Sequence, residues 1–193
     1  MFDAENADEQ RPQLPGVRFR EGTGADAGAI AVLHADSWRR HYRGAFLNSY
    51  LDGDVVADRV AEWSHRLAPP RLNQYTVVAE QDGEIIGFAH VVFDHDPRWG
   101  ALLDNLHVTS GLKRLGIGTT LLSEAAQVLV EQRPSDALYL WVLEQNKAAQ
   151  AFYASRGGTC VGSDLRGPFP GGGRATGYRY AWPDPSELIA RDR

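Results

Sequence analysis

The hydrophobic pattern of the chain changes period several times. Val17-Arg18-Phe19-Arg20 alternates apolar and basic residues and predicts a short first strand. From Thr23 to Arg40, apolar residues at Ala27, Ile30, Ala31, Leu33 and Trp38 follow a helical spacing. Asp54 to Leu67 repeats it with Val55, Val56, Val60 and Trp63, and Pro69-Pro70 is read as its stop. Tyr75–Glu80 and Ile85–Phe93 then read as two strands of a hairpin, with Asp82-Gly83 as the turn signal. Ala101–Val108 is a further apolar strand, and a helix is predicted over Thr119–Gln132. Ala137–Leu143, dense in large apolar residues, predicts a central strand buried on both faces. A helix over Asn146–Arg156 ends at Gly157-Gly158, and strands are expected at Thr159–Gly162 and Gly177–Trp182. This order predicts one α+β domain around a mixed, mostly antiparallel sheet flanked by helices. Residues 1–16 and 184–193 read as flexible tails around a domain at 17–183.

Composition narrows the function classes. The chain has 193 residues, 43% hydrophobic and 23% charged, which suits one globular domain. A formal net charge of -5 argues against nucleic acid as partner, since phosphate backbones need a basic surface. The single cysteine, Cys160, allows no internal disulfide and points to a reducing compartment. The N-terminal stretch has no apolar core of a signal peptide, and no apolar run reaches membrane-spanning length. The expectation is a cytoplasmic protein without membrane contact, monomer or homodimer. Six histidines form no H-E-x-x-H or similar spacing, so no metal is expected.

The strongest local signal is Leu106-His107-Val108-Thr109-Ser110-Gly111-Leu112-Lys113-Arg114-Leu115-Gly116-Ile117-Gly118-Thr119, joining a strand to a helix. Glycines at 116 and 118 let backbone approach a ligand. The helix that follows offers free N–H groups and the positive end of its dipole. That is an anion site suited to phosphate, with Lys113 and Arg114 adding charge. It is not a Walker A loop, because Ile117 stands where the lysine is required. It is not a dinucleotide fingerprint either, because position 121 is leucine.

Lys113-x-x-Gly116-x-Gly118 resembles the [QR]-x-x-G-x-[GA] signature of GNAT acyltransferases. Leu140 to Tyr153 resembles the family's L-x-V-x-x-x-N-x-x-A-x-x-F-Y block. The two motifs come in the family's order and spacing, and the resemblance spans about Val17 to Trp182. It implies a GNAT-like fold and an N-acyltransferase that moves an acetyl group from acetyl-CoA to a primary amine in a ternary complex. A different acyl-CoA donor, or a non-catalytic CoA-binding module of the same fold, are its alternatives. By resemblance, Leu106, His107 and Val108 pair through their backbone with the pantetheine arm. That arm enters where the Leu106 and Leu140 strands splay. Main-chain N–H groups from Lys113 through Arg114, Leu115, Gly116, Ile117 and Gly118 to Thr119 hold the pyrophosphate. Asn146 bonds the pantetheine or caps its helix. Lys113 departs from the usual Gln or Arg, and Leu102 stands where histone acetyltransferases of the superfamily carry a glutamate base.

Tyr153 is the expected acid, since a phenol near pKa 10 keeps its proton at neutral pH and can share it with a departing thiolate. Asp104 is a candidate proton relay through water, or a structural acid. It is expected to share a strand face with Leu102 and Leu106. Trp38 and Tyr42, four apart on a helix, either wall the acceptor site or pack in the core.

Overall fold

The computed structural model describes residues 16–68, 73–170 and 172–190. The predicted N-terminal tail, Gly16 apart, and the stop at Pro69-Pro70 lie outside them. The chain forms β1 (Val17–Glu21), α1 (Ala27–His41), α2 (Asn48–Asp52), α3 (Val55–Leu67), β2 (Gln74–Gln81), β3 (Glu84–Asp96) and β4 (Gly100–Val108). It continues as α4 (Ile117–Gln132), β5 (Leu138–Leu143), α5 (Lys147–Ser155), β6 (Thr159–Arg166), β7 (Ala175–Trp182) and α6 (Ser186–Ala190). Seven strands make one sheet in the order β1-β2-β3-β4-β5-β7-β6. Every neighbouring pair is antiparallel except β4 with β5. The α+β expectation therefore holds. Among the described residues no helix is long and apolar enough to cross a membrane.

The sheet buries both faces because its central strands are apolar on both. Val77 and Ala79 of β2 pack toward α4 with Leu121, Leu122 and Leu129. Val78, between them, packs on the other face with Ile30 and Ala31 of α1 and Trp63 of α3. The β2–β3 hairpin turns at Asp82 (φ 52°) and Gly83 (φ 83°), a pair of positive φ angles that suits the twist of the two strands.

Several predicted boundaries shift. The first helix begins with a 3₁₀ turn at Gly24–Asp26, and α4 starts at Ile117 rather than Thr119. The short α2 has no counterpart in the hydrophobic pattern. β6 runs on to Arg166 instead of stopping at Gly162, because its residues from 159 to 165 are exposed and carry no alternation for the pattern to reveal. The stretch after Pro183, expected as a tail, folds as α6, which packs on α4 and buries Leu188.

Candidate active site

β4 and β5 are parallel neighbours for only two residue pairs, Ala101 with Leu138 and Leu102 with Tyr139. Past them a cavity of about 710 Å³ opens, lined by residues 103–108 on one side and 140–142 on the other. The polar backbone of the C-terminal half of β4 thus faces open space instead of a strand, a free edge that an extended ligand can pair with.

At the end of β4 the chain makes a 3₁₀ turn at Ser110–Leu112 and enters α4. Arg114 (φ 68°) and Gly116 (φ 85°) both hold left-handed backbone, and Gly116 is the N-cap of α4. Thr119 and Thr120 donate their N–H groups to the Gly116 carbonyl. Among the described residues, no acceptor takes the N–H groups of residues 113–118. A run of unpaired amides at a helix N-terminus is what a phosphate needs. A Cβ on Gly118 would lie 3.7 Å from Val108 Cγ2 and 3.8 Å from Phe152 Cζ, two residues that line the cavity. A side chain there would grow into the cradle. These features fit a CoA pyrophosphate and its extended arm.

Of the residues singled out in the sequence, the cavity brings together Tyr42, Asp104, Leu106, His107 and Val108. Lys113, Arg114, Gly116, Gly118 and Thr119 line its loop end, and Asn146 and Tyr153 its α5 side. Leu115 points to solvent at 46% exposure, and Ile117 is buried in the core under α4. Trp38 and Tyr42 part company. Trp38 is buried in a cluster with Ala35, Phe46, Leu51 and Val55, with the Arg59 guanidinium 4.3 Å over its ring. Tyr42 is half-buried and reaches the cavity. Asn146 Oδ1 accepts from the Ala149 N–H at 3.2 Å, so it caps α5.

Asp104 cannot share one face with both Leu102 and Leu106, as strict alternation predicts. Leu103 pairs with Val91 and Asn105 with His90, so the register slips by one residue and Asp104 is the extra residue of a β-bulge. Leu103 and Leu106, three apart, both pack on the α4 side as a result. Asp104 Oδ2 accepts from Arg66 Nη1 at 2.5 Å and from Asn105 Nδ2 at 2.8 Å. It is the one carboxylate lining the cavity among the described residues.

The phenols and imidazoles around Asp104 are held neutral. Burial pushes the Tyr42 phenol up to about 12, and the Asp104 charge adds to the rise. Burial raises the Tyr153 phenol further, with Tyr42 second. The Tyr153 ring packs against Phe152, Tyr180 and Trp182, while its hydroxyl has no hydrogen-bond partner among the described residues. The side chain of His107 turns toward α1, where Nδ1 lies 2.8 Å from Ser37 Oγ, and burial lowers its pKa to about 3. Lys113 Nζ lies 3.0 Å from His41 Nε2, which burial and that lysine keep below the usual histidine range.

Comparison with known proteins settles the family. Residues 35–157, more than half of the chain, match the acetyltransferase (GNAT) family. The chain belongs to the GNAT acetyltransferase family. The N-acetyltransferase YuaI of Bacillus subtilis is 27% identical over 175 residues, covering 89% of this chain and 96% of the relative. Among solved structures, the PaiA N-acetyltransferase of Thermoplasma acidophilum in complex with coenzyme A superposes with a TM-score of 0.67 at 18% identity. It covers 86% of this chain and 99% of its own. The structure of yncA from Salmonella typhimurium, described with its cofactor acetyl-CoA, superposes with a TM-score of 0.63 at 18% identity, covering 86% and 93%. At that identity the two structures speak for the fold.

Sequence reasoning missed several residues that this acetyltransferase brings to the cavity. Ser37 and His41 line it with Tyr42, and they lie four apart on α1, a spacing that places both on one helix face. Arg66, which neutralises Asp104, comes from α3, and no local pattern links residues 38 positions apart. Trp141 also lines the cavity.

Proposed function

We propose that this enzyme transfers an acetyl group from acetyl-CoA to a primary amine of a small molecule or protein, by direct attack in a ternary complex. The observation that carries the reading is one cavity whose lining includes the loop with free N–H groups at residues 113–118, the neutral phenol of Tyr153 and the carboxylate of Asp104. Acetyl-CoA supplies the acyl group as a thioester activated toward nucleophiles. The main chain of Leu106, His107 and Val108 holds the extended arm as an added strand would, and the N–H groups of residues 113–118 hold the pyrophosphate. Asp104, held in place by Arg66, accepts a hydrogen bond from the acceptor's amine and relays its proton through water. Tyr153 keeps its own proton because burial raises its pKa. It gives that proton to the sulfur as the C–S bond breaks, and is reprotonated by the proton that the attacking nitrogen loses as the C–N bond forms, so that a neutral amide and a thiol leave. Cys160 is exposed on β6 and does not line the cavity, which favours direct attack over a covalent relay.

Tyr153→Phe tests the assignment with little risk to the fold, since the hydroxyl it removes is unpartnered. Thiol release from acetyl-CoA over a panel of amines should fall tenfold to a thousandfold, roughly the range for a lost positioned acid. Acetyl-CoA affinity by calorimetry should stay the same. Unchanged turnover where chemistry limits the rate would leave Tyr153 a packing residue.

A further inference from the structure

A primary alkylamine is an ammonium at neutral pH, with a pKa of about 10. The steps given to Asp104 and Tyr153 start once that ammonium has lost its first proton. A group that takes it has to line the cavity, be neutral near pH 7 and reach solvent to pass the proton on. Two imidazoles line the cavity among the described residues, His41 and His107. His107 is the poorer base, since burial lowers it to about 3 and its Nδ1 lies 2.8 Å from Ser37 Oγ. His41 is half-buried and also lines a second, outer cavity of about 650 Å³ between α1 and the β2–β3 turn. Ser37, His41, Val108 and Lys113 line both cavities, so His41 stands on the boundary between them.

His41 is the last residue of α1, where the negative end of the helix dipole favours a cation. Its main chain is fixed, because the Gln145 side-chain amide donates to the carbonyls of His41 at 2.9 Å and Arg43 at 3.0 Å. Lys113 Nζ lies 3.0 Å from His41 Nε2. An ammonium can only donate, so Nε2 accepts and the neutral ring carries its proton on Nδ1. Burial, then Lys113 and then Arg40 lower the His41 pKa, while Asp36 raises it, and the His41 charge is felt at His107 on β4. Asp104, Arg114, Tyr42 and Tyr153 share its lining of the catalytic cavity, and Arg20, Asp26 and Glu84 that of the outer one. Arg20 and Arg40 are paired with Asp26 and Asp36, which leaves Lys113, in contact with His41, as the cation able to change partner. Lys113 also opens the run of unpaired amides at residues 113–118, and a diphosphate there is a far stronger acceptor for an ammonium than a neutral imidazole is.

We infer that His41 is the base for the acceptor's ammonium, and that its Nε2 is uncapped when Lys113 turns from it to the pyrophosphate of acetyl-CoA. This rests on the acyl-transfer reading of the cavity and gives that reaction its first proton acceptor. An N–H bond of the ammonium breaks, the electron pair stays on nitrogen, and the proton joins His41 Nε2 to give an imidazolium. The neutral amine attacks the thioester, and its second proton follows the route through Asp104 and Tyr153. His41 then returns its proton to solvent by way of the outer cavity. Ammonium and thioester thus become amide, thiol and one proton in solution. The device also makes the base available when the thioester is in place.

Calorimetry tests the uncapping without turnover. Dephospho-CoA is the probe, because it keeps the pyrophosphate and lacks the 3′-phosphate, which itself titrates at about pH 6. Its binding enthalpy is measured at about pH 6.5, the ordinary histidine value, in buffers of different ionisation enthalpy. Losing the Lys113 contact and gaining a phosphate neighbour both raise the His41 pKa, so the wild type should take up protons on binding and bind more tightly as pH falls. His41→Gln should bind without that uptake. Lys113→Met, whose His41 is never capped, should bind more weakly and take up fewer protons. Thermal melts check that both variants are folded. Acetyl-CoA turnover with alkylamines and amino-acid amides tests the base. His41→Gln should lower kcat/KM for the amine by about a hundredfold to a thousandfold at neutral pH. Its activity should then climb about tenfold per pH unit toward the wild type as the amine nears its own pKa and deprotonates in solution. No proton uptake in the wild type, or the same uptake in His41→Gln, would overturn the exchange of Lys113. A loss in His41→Gln that is equal at every pH would overturn the base. Proton uptake in a protein that acetylates none of these amines would overturn the acyl-transfer reading and leave the Lys113 exchange standing.

Discussion

Lowering the pH from 7 to 5 should remove about 4 kcal/mol of stability through two histidines alone. His34 and His90 are 2% and 1% exposed. Trp63 Nε1–H donates to His34 Nδ1 at 3.0 Å, so the neutral ring already holds its proton on Nε2. A second proton on His34 has to go where the indole N–H already points. Burial is the leading cause that holds His34 well below the usual range and His90 at about 4. An unfolded histidine titrates near 6.5. Because the folded values lie below the unfolded one, the unfolded chain binds more protons in between. Stability is therefore present above pH 6.5 and lost as pH falls below it. At pH 5 each ring costs 2.303RT times the distance from 6.5, which is about 2 kcal/mol. That figure depends only on the unfolded pKa once the folded value lies below 5. His107, whose ring centroid is 4.8 Å from that of His34, shifts in the same direction and adds to the loss. For a chain of this size about 4 kcal/mol corresponds to a fall of roughly 8–16 °C in Tm. Thermal and urea melts at pH 7, 6 and 5 read it directly, and His34→Gln and His90→Gln should each flatten the dependence by about 2 kcal/mol. Equal midpoints at pH 7 and 5, or an undiminished slope in the double variant, would refute the reasoning.

Gly118→Val should fold normally, because even the near contacts of a new Cβ are ordinary ones, yet raise the Kd of acetyl-CoA in calorimetry with EDTA present. Wild-type affinity would mean that the cradle lies elsewhere. Trp38→Ala should lower stability by about 3–5 kcal/mol, as for a buried aromatic, whereas Tyr42→Phe should leave the melt nearly unchanged and lower kcat/KM for the acceptor. Normal acceptor kinetics in Tyr42→Phe would remove its hydroxyl from the site.

The parts of the site that were legible in the sequence are those built from neighbours in the chain. The strand-to-helix loop at residues 106–119, the Asn146 cap and the Asp82-Gly83 hairpin each depend on a few consecutive residues and the backbone angles that those residues favour. Trp38 and Tyr42 show the limit. Helical spacing puts them on one face, and only the packing of α2 and α3 around that face decides that Trp38 is core and Tyr42 reaches the cavity.

The chain alone therefore determined the α+β class, the order of elements apart from α2 and α6, and the place of the glycine loop between β4 and α4, because periodicity and turn chemistry are local properties. Tertiary structure decided the rest. The slip of register that makes Asp104 a bulge is a property of β3 and β4 together, and a strict alternation could not foresee it. The burial of His34 and His90 is set by α1, α3, β2 and β3 closing around them. Arg166 and Arg179 meet on the Trp141 ring only because three strands far apart in sequence align, with Gly177 as the gap between them. Side chains from distant segments acquire their neighbours, and hence their charge states, when the sheet's order and register are fixed.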